Sequence, residues 1–284
     1  MNEVGLVLEG GGMRGVYTAG VLDFFHDKKI MFPYVVGASV GACVATSYLA
    51  NQRGRNYEVL VEYSRHPEYL SLKRLLTRRS LFGMDFIFDT LPNQLVPFDY
   101  NMFIKNQSKL VVATTDVSTG LPVYYDSFDN KDELFKLVRA SSSLPFVSTS
   151  VLHQGLELMD GGVSDPIPID PSIQDGNRKH VVILTRHKGY KKDNVKFKRI
   201  VKHTYKNYPG LVRAMEKRHA KYNQTLEILR QMEQNGEVFI IQPKQPLKVS
   251  RIERNKQKLH DVYIQGYQQA EEISEALIKF VKSS

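Results

Sequence analysis

Apolar positions change period several times along the first 190 residues. Residues 3–8 form a short apolar run, the pattern of a strand buried on both faces. From 15 to 28 the apolar side chains recur at helical spacing, with Val16, Ala19, Gly20 and Leu22 to Phe24 on one side. "PYVVGAS", 33–39, is a second buried strand, and 40–51 is a helix rich in small residues. Strand, helix, strand, helix predicts a βαβα unit and therefore a parallel sheet. Further strands are expected at 109–117, 155–162 and 180–186, and a helix at 131–141. Gly120 and Pro122 mark a turn after 117, with "VYYD" as a hairpin partner.

Residues 52–100 break this rhythm. "SLFGMDFIFDTLPNQLVPFDY" is dense in Phe, Met and Leu, and reads either as a buried helix hairpin or as a lid or acyl-chain pocket. After 200 come helical patterns to 234, a strand at "VFIIQP" and a long final helix near 252–282.

Charge sharpens this division. Residues 187–284 hold 21 Lys and Arg against 10 Asp and Glu, whereas 1–186 hold 18 against 20. The excess of cations belongs to the C-terminal third and reads either as a solvated helical surface or as contact with an anionic membrane. Lys191, Lys192, Lys196, Lys198 and Arg199 are its densest cluster. No nucleic-acid motif or zinc spacing occurs, so no nucleic-acid partner is expected. One cysteine, Cys43, excludes an internal disulfide framework. The first apolar run lacks a basic leader and stops at Glu9, and no apolar run approaches the roughly 20 residues of a membrane span. A cytoplasmic protein, peripheral to membrane at most, is the expectation.

The candidate chemistry lies in the turns. Gly10-x-Gly12-x-x-Gly15 sits between a strand and a helix, as a dinucleotide fingerprint would. That fold also needs an acid at the end of the second strand, and Ser39 stands there instead. Ser39 is the centre of Gly37-Ala38-Ser39-Val40-Gly41, a G-x-S-x-G turn that presents a hydroxyl at a helix N-terminus. Loops after adjacent parallel strands open at one sheet edge, so the backbone N–H groups of Gly10, Gly11 and Gly12 would face Ser39 as an oxyanion hole. Arg14 reads either as a surface residue or as a group that fixes the loop or attracts an anionic head group. Asp160, in "MDGG" at another strand end, is a candidate base, with Gly161 and Gly162 allowing a tight turn.

Gly10 to Gly15, Gly37 to Gly41 and Asp160-Gly161-Gly162 together resemble the three motifs of the patatin-like phospholipase family, and "RASSSLPFVSTSV", 139–151, resembles its segment ahead of the aspartate. The resemblance spans about residues 4–186. Many relatives have alanine where Ser143 stands. The resemblance implies a three-layer α/β/α sandwich with a mostly parallel central sheet, followed by a helix-rich C-terminal extension. It implies a catalytic domain over 1–186, with 187–284 as the basic extension. It also implies hydrolysis of acyl lipid esters by a Ser39–Asp160 dyad, with Gly10, Gly11 and Gly12 as oxyanion donors and Arg14, Gly15, Gly37, Gly41, Gly161 and Gly162 in support. No cofactor and no metal are implied. Three alternatives stay open: a triad with His187 as base, a nucleotide-binding module built on the glycine turn, and a scaffold without turnover.

Overall fold

The computed structural model describes residues 3–71, 74, 75, 77, 80–194 and 198–283. Eight strands form one sheet: β1 (Val4–Leu8), β2 (Tyr34–Ala38), β3 (Lys109–Asp116), β4 (Pro122–Tyr125), β5 (Val151–His153), β6 (Leu156–Asp160), β7 (Lys179–Ile183) and β8 (Val238–Ile241). The order is β5-β6-β3-β2-β1-β7-β8, with β4 paired to β3 off that path. β1, β2, β3, β7 and β8 run parallel; β4 and β6 pair antiparallel with β3, and β5 with β6.

Successive strand residues point to opposite faces, so a doubly buried strand feeds two cores. Leu6 and Leu8 of β1, Val35 of β2, Val112 of β3 and Ile183 of β7 join one core, while Val7, Val36, Val111 and Val182 join the other. The first core is covered by α1 (Gly15–Asp27), α2 (Val40–Leu49) and α3 (Lys131–Ser141), through Phe24, Tyr48 and Leu137 among others. The second is covered by α4 (Pro209–Gln234), through Tyr222, Leu226 and Leu229. The result is the expected three-layer α/β/α sandwich around a mostly parallel sheet.

The C-terminal third completes this sandwich. β8 adds a parallel strand beside β7. α5 (Lys256–Glu272) lies against α1, where a side chain at Gly20 would collide with the Tyr263 carbonyl and one at Gly266 with that of Tyr17. Tyr263 and Tyr267 then donate to Asp23 (2.7 Å) and Asp27 (2.9 Å) of α1.

Several boundaries differ from the pattern. The final helix is two helices, α5 and α6 (Ser274–Lys282), and 200–234 divides at Pro209 into Lys198–Thr204 and α4, because proline cannot continue a helix from its preceding turn. β5 was not expected; with β6 it makes a hairpin through Gln154 and Gly155, both at positive φ. The segment 52–100 is not a plain helix hairpin. It holds helical turns at Arg55–Tyr57 and Glu58–Glu62, an antiparallel bridge between Leu70 and Phe82, and a wide helical segment, Phe86–Leu95, containing Pro92. Residues 72, 73, 76, 78 and 79 of that segment, and Lys196 of the basic cluster, lie outside the described residues.

Candidate active site

The register of β3 brings Ser39 and Asp160 together. Thr114 and Thr115 pair with both β4 and β6, and Val112 and Ala113 with both β2 and β4. A strand has two edges, so β2 and β6 must share the edge opposite β4. On that edge Ala38 is opposite Ala113, and Asp160 is opposite the next residue, Thr114. β2 thus ends where β6 ends, and Ser39 follows beside Asp160.

Ser39 occupies φ 56° and ψ −126° at the start of α2, a backbone region that costs a non-glycine residue about 1–3 kcal/mol. Neighbours hold it there. Its N–H donates to Ser141 Oγ (2.8 Å), and the Ser141 hydroxyl donates to the Ala113 carbonyl (2.6 Å). Gly37 and Gly41 give the room: a side chain at 37 would collide with the backbone of 41 and 42, and one at 41 with the Leu8 carbonyl. Gly15 similarly lets the start of α1 press on Val40. Ser39 is only 8% exposed, on the wall of a pocket rather than on an open turn.

Asp160 is buried. Its Oδ1 accepts the Gly162 N–H (2.8 Å), and its own N–H donates to the Ser143 carbonyl (2.9 Å). Oδ2 has no hydrogen bond of good geometry among the described residues. Burial raises the proton affinity of this carboxyl above the usual range. The Arg218 charge opposes the rise, as do the nearby Ser39 side chain, the Gly162 N–H and Arg251. Gly161 packs against the Ala113 carbonyl, where no side chain fits. The Ser143 hydroxyl is turned away and donates to the Arg139 carbonyl (2.9 Å).

The glycine turn lies alongside. A Cβ on Gly10 would sit 3.2 Å from Ser39 Cβ, and one on Gly11 would sit 2.7 Å from Thr185 Oγ1. Gly12 has φ +58°, and a Cβ there would be 2.7 Å from the Arg251 carbonyl, which accepts the Met13 N–H (3.1 Å). Among the described residues the N–H groups of Gly10, Gly11 and Gly12 have no acceptor. His187 is elsewhere: its Nδ1 pairs with the Lys188 carbonyl (2.8 Å), its ring packs edge-on to Tyr190, and it lines a different pocket from Ser39.

Two pockets share the glycine turn. One is apolar and reached by Ser39, Gly12 and Met13; Val59, Leu60, Phe82, Met84, Ile87 and Phe88 from the 52–100 segment form much of its wall, with Val44 and Val138. The other is small and basic, lined by Gly10, Gly11, Arg14 and Gly162 together with Arg186, Lys192, Arg218 and Arg251. Sequence reasoning missed Ser141, although it lies in the "RASSSLPF" segment, and it missed Arg218 and Arg251, which no local pattern marks.

A family model described as Patatin-like phospholipase matches residues 6–173. The chain belongs to the patatin-like phospholipase family. A second model, a domain of unknown function (DUF6363), matches residues 208–282. YjjU, an uncharacterized protein of Escherichia coli K12, is 30% identical over 189 residues, 64% of this chain and 52% of that protein. "Lysophospholipase nte1" of Aspergillus fumigatus is 26% identical over 177 residues, 59% of this chain but only 11% of that protein. The match thus spans about half of the first relative and a small part of the second. VipD of Legionella pneumophila superposes with a TM-score of 0.49 at 11% identity, covering 97% of this chain and 67% of VipD. Among the described residues no helix is long and apolar enough to cross a membrane.

Proposed function

We propose that the protein is a lipid acyl hydrolase that uses Ser39 as nucleophile and Asp160 as general base. The observation that carries this reading is the pairing of a strained, sequestered serine with a buried carboxylate whose Oδ2 is left uncommitted. Asp160 Oδ2 takes the proton as Ser39 Oγ attacks the ester carbonyl. The N–H groups of Gly10, Gly11 and Gly12 receive the charge that develops on the carbonyl oxygen. The alcohol leaves with that proton, and the acyl group stays on Ser39. Water then attacks the acyl-enzyme and gives its proton to Asp160, which passes it to Ser39 Oγ as the acyl–oxygen bond breaks and the fatty acid is released.

Three features support the assignment. A carboxylate with raised proton affinity is a stronger base than an exposed aspartate at the same pH. Three unsatisfied N–H groups beside the nucleophile suit an oxyanion and cost nothing to reorganise. The apolar pocket at Ser39 suits an acyl chain, with 52–100 acting as the acyl-pocket insertion. The family and the names of its fungal relatives point to lipid esters. In this division of labour residues 1–186 carry the chemistry, and the cation-rich 187–284 attracts an anionic membrane surface from a cytoplasmic location.

A fluorophosphonate label followed by peptide mapping, with a lipid panel on the same preparation, tests the reading. Label on Ser39 and fatty-acid release are expected. Label on Ser143 or no ester turnover would defeat it.

A further inference from the structure

The cations of the basic pocket on the glycine turn have no role in the steps above. Five cations line it: Arg14, Arg186, Lys192, Arg218 and Arg251 come from four separate parts of the chain, with Gly10, Gly11 and Gly162 as backbone wall. Among the described residues none of the five has a carboxylate within ion-pair distance. Arg14 Nη1 and Arg218 Nε are sequestered from solvent and have no hydrogen-bond partner. The acid in the pocket, Glu9, is committed elsewhere: Oε2 accepts from the Thr185 N–H (2.6 Å) and hydroxyl (3.1 Å). Glu9 and Asp160 attract these cations without pairing with them, so the basic groups outnumber the acids around the pocket and the cluster fits an anion that arrives from outside.

We propose that this pocket is the subsite for the phosphate of the substrate, so that the enzyme prefers acyl esters with an uncapped phosphate head group over phosphocholine or uncharged esters. The proposal rests on the hydrolase reading above. Guanidinium forks from several directions suit the oxygens of a phosphate. A quaternary ammonium would meet the like charges of four guanidinium groups. It would also meet aromatic rings already engaged by cations, Tyr190 by Arg186 (4.3 Å) and Tyr222 by Lys192 (5.3 Å). Proximity fits as well: Gly10 walls this pocket while its Cβ position lies 3.2 Å from that of Ser39, so head group and ester are held on two sides of one turn. Burial and neighbouring cations lower the proton affinity of Lys192 to about 7 and of Arg218 to about 10, and a bound phosphate would reverse both. Arg218 and Arg251 fall within 208–282, which gives that region a part in substrate choice.

The test compares three substrates with one oleoyl chain: lysophosphatidic acid, lysophosphatidylcholine and monooleoylglycerol. Wild type should favour the phosphomonoester at least about tenfold in kcat/KM, falling with added salt. Arg218→Gln and, as a half-exposed variant that spares the interior, Lys192→Gln should each reduce the ratio of phosphomonoester to neutral ester about tenfold, mainly through KM. Losses common to both substrates cancel in that ratio. Equal use of all three substrates by wild type, or a ratio unmoved in both folded variants, would overturn the proposal. Calorimetry on Ser39→Ala protein separates this from failure of the hydrolase reading: sn-glycerol 3-phosphate should bind, and Arg218→Gln should abolish binding. No binding overturns the pocket assignment even if esters are cleaved. Inorganic phosphate binding without the lipid preference overturns the head-group assignment in favour of free phosphate.

Discussion

The two pockets that meet at the glycine turn are built in opposite ways. The apolar one draws nearly all of its wall from one stretch of chain, 39–144, and its character is local: Phe, Met, Leu and Val side chains wherever the 52–100 segment folds inward. The basic one takes Arg14 from the first motif, Arg186 after β7, Lys192 from the following loop, Arg218 from α4 and Arg251 from the approach to α5. Apolar walls tolerate rough assembly, since hydrophobic contact is non-directional. A cation cluster does not, because each desolvated charge must face the same small space. One pocket can therefore drift in sequence while the other depends on the placement of individual residues.

The proposed centre between the pockets gives the largest expected effects. Ser39→Ala and Asp160→Asn should each lower hydrolysis of a short p-nitrophenyl ester about 10³-fold or more, while His187→Ala keeps a substantial fraction. If His187→Ala is folded and inactive while Asp160→Asn turns over, the base has been misassigned. Asp160→Asn should also melt at higher temperature than wild type at neutral pH. Burial raises the folded-state proton affinity of Asp160, so its contribution to stability is full below its unfolded pKa and is lost as pH rises through the folded value. Wherever the buried group is ionised it is a burden that the amide removes. For the same reason the acid limb of kcat/KM should lie above the ordinary carboxylate range, and a limb within it would remove the buried-base argument.

Next is the shared turn. Gly11→Ala should cost around 10²–10³ in kcat by misaiming the N–H groups, because the new methyl would meet Thr185. A well-folded variant with wild-type kcat would show that this turn is not the oxyanion hole.

Within the apolar pocket, Val59→Trp should fill space that a long chain needs. A loss of about tenfold in kcat/KM for an oleoyl ester with little change for a butyrate is expected. Parallel losses for both would place the acyl chain elsewhere.

The smallest effect concerns the outer surface. Lys191, Lys198 and Arg199 are exposed, whereas Lys192 is turned toward Tyr222. Co-sedimentation with phosphatidylglycerol vesicles should exceed that with phosphatidylcholine and fall with salt, since the Debye length is about 8 Å at physiological ionic strength. Equal binding to both would reduce the surface charge to a solubility feature.

Much of this was legible in one dimension. Buried strands separated by helical periods dictate a parallel sheet, because apolar runs need cover on both faces. Glycines at 12, 37, 41 and 161 mark close backbone approaches, where a side chain would collide with main-chain atoms. Ser39 and Asp160 could be named because each ends a strand, and strand ends are where a sheet presents its chemistry. What the chain pattern did not contain was anything set by register or by distant packing. The shared edge of β3, which puts Asp160 one residue beyond Ala38, depends on two separate pairings, of β3 with β2 and of β3 with β6. Ser141 matters through the hydrogen bond to Ser39 N–H that this pairing permits. Arg14 stands in the first motif, but nothing in the sequence pattern joins it to Lys192, Arg218 and Arg251, because a charge repels or attracts across space without regard to sequence separation. Only the folded sandwich, with α4 and the approach to α5 brought to the glycine turn, decided that these cations face one another.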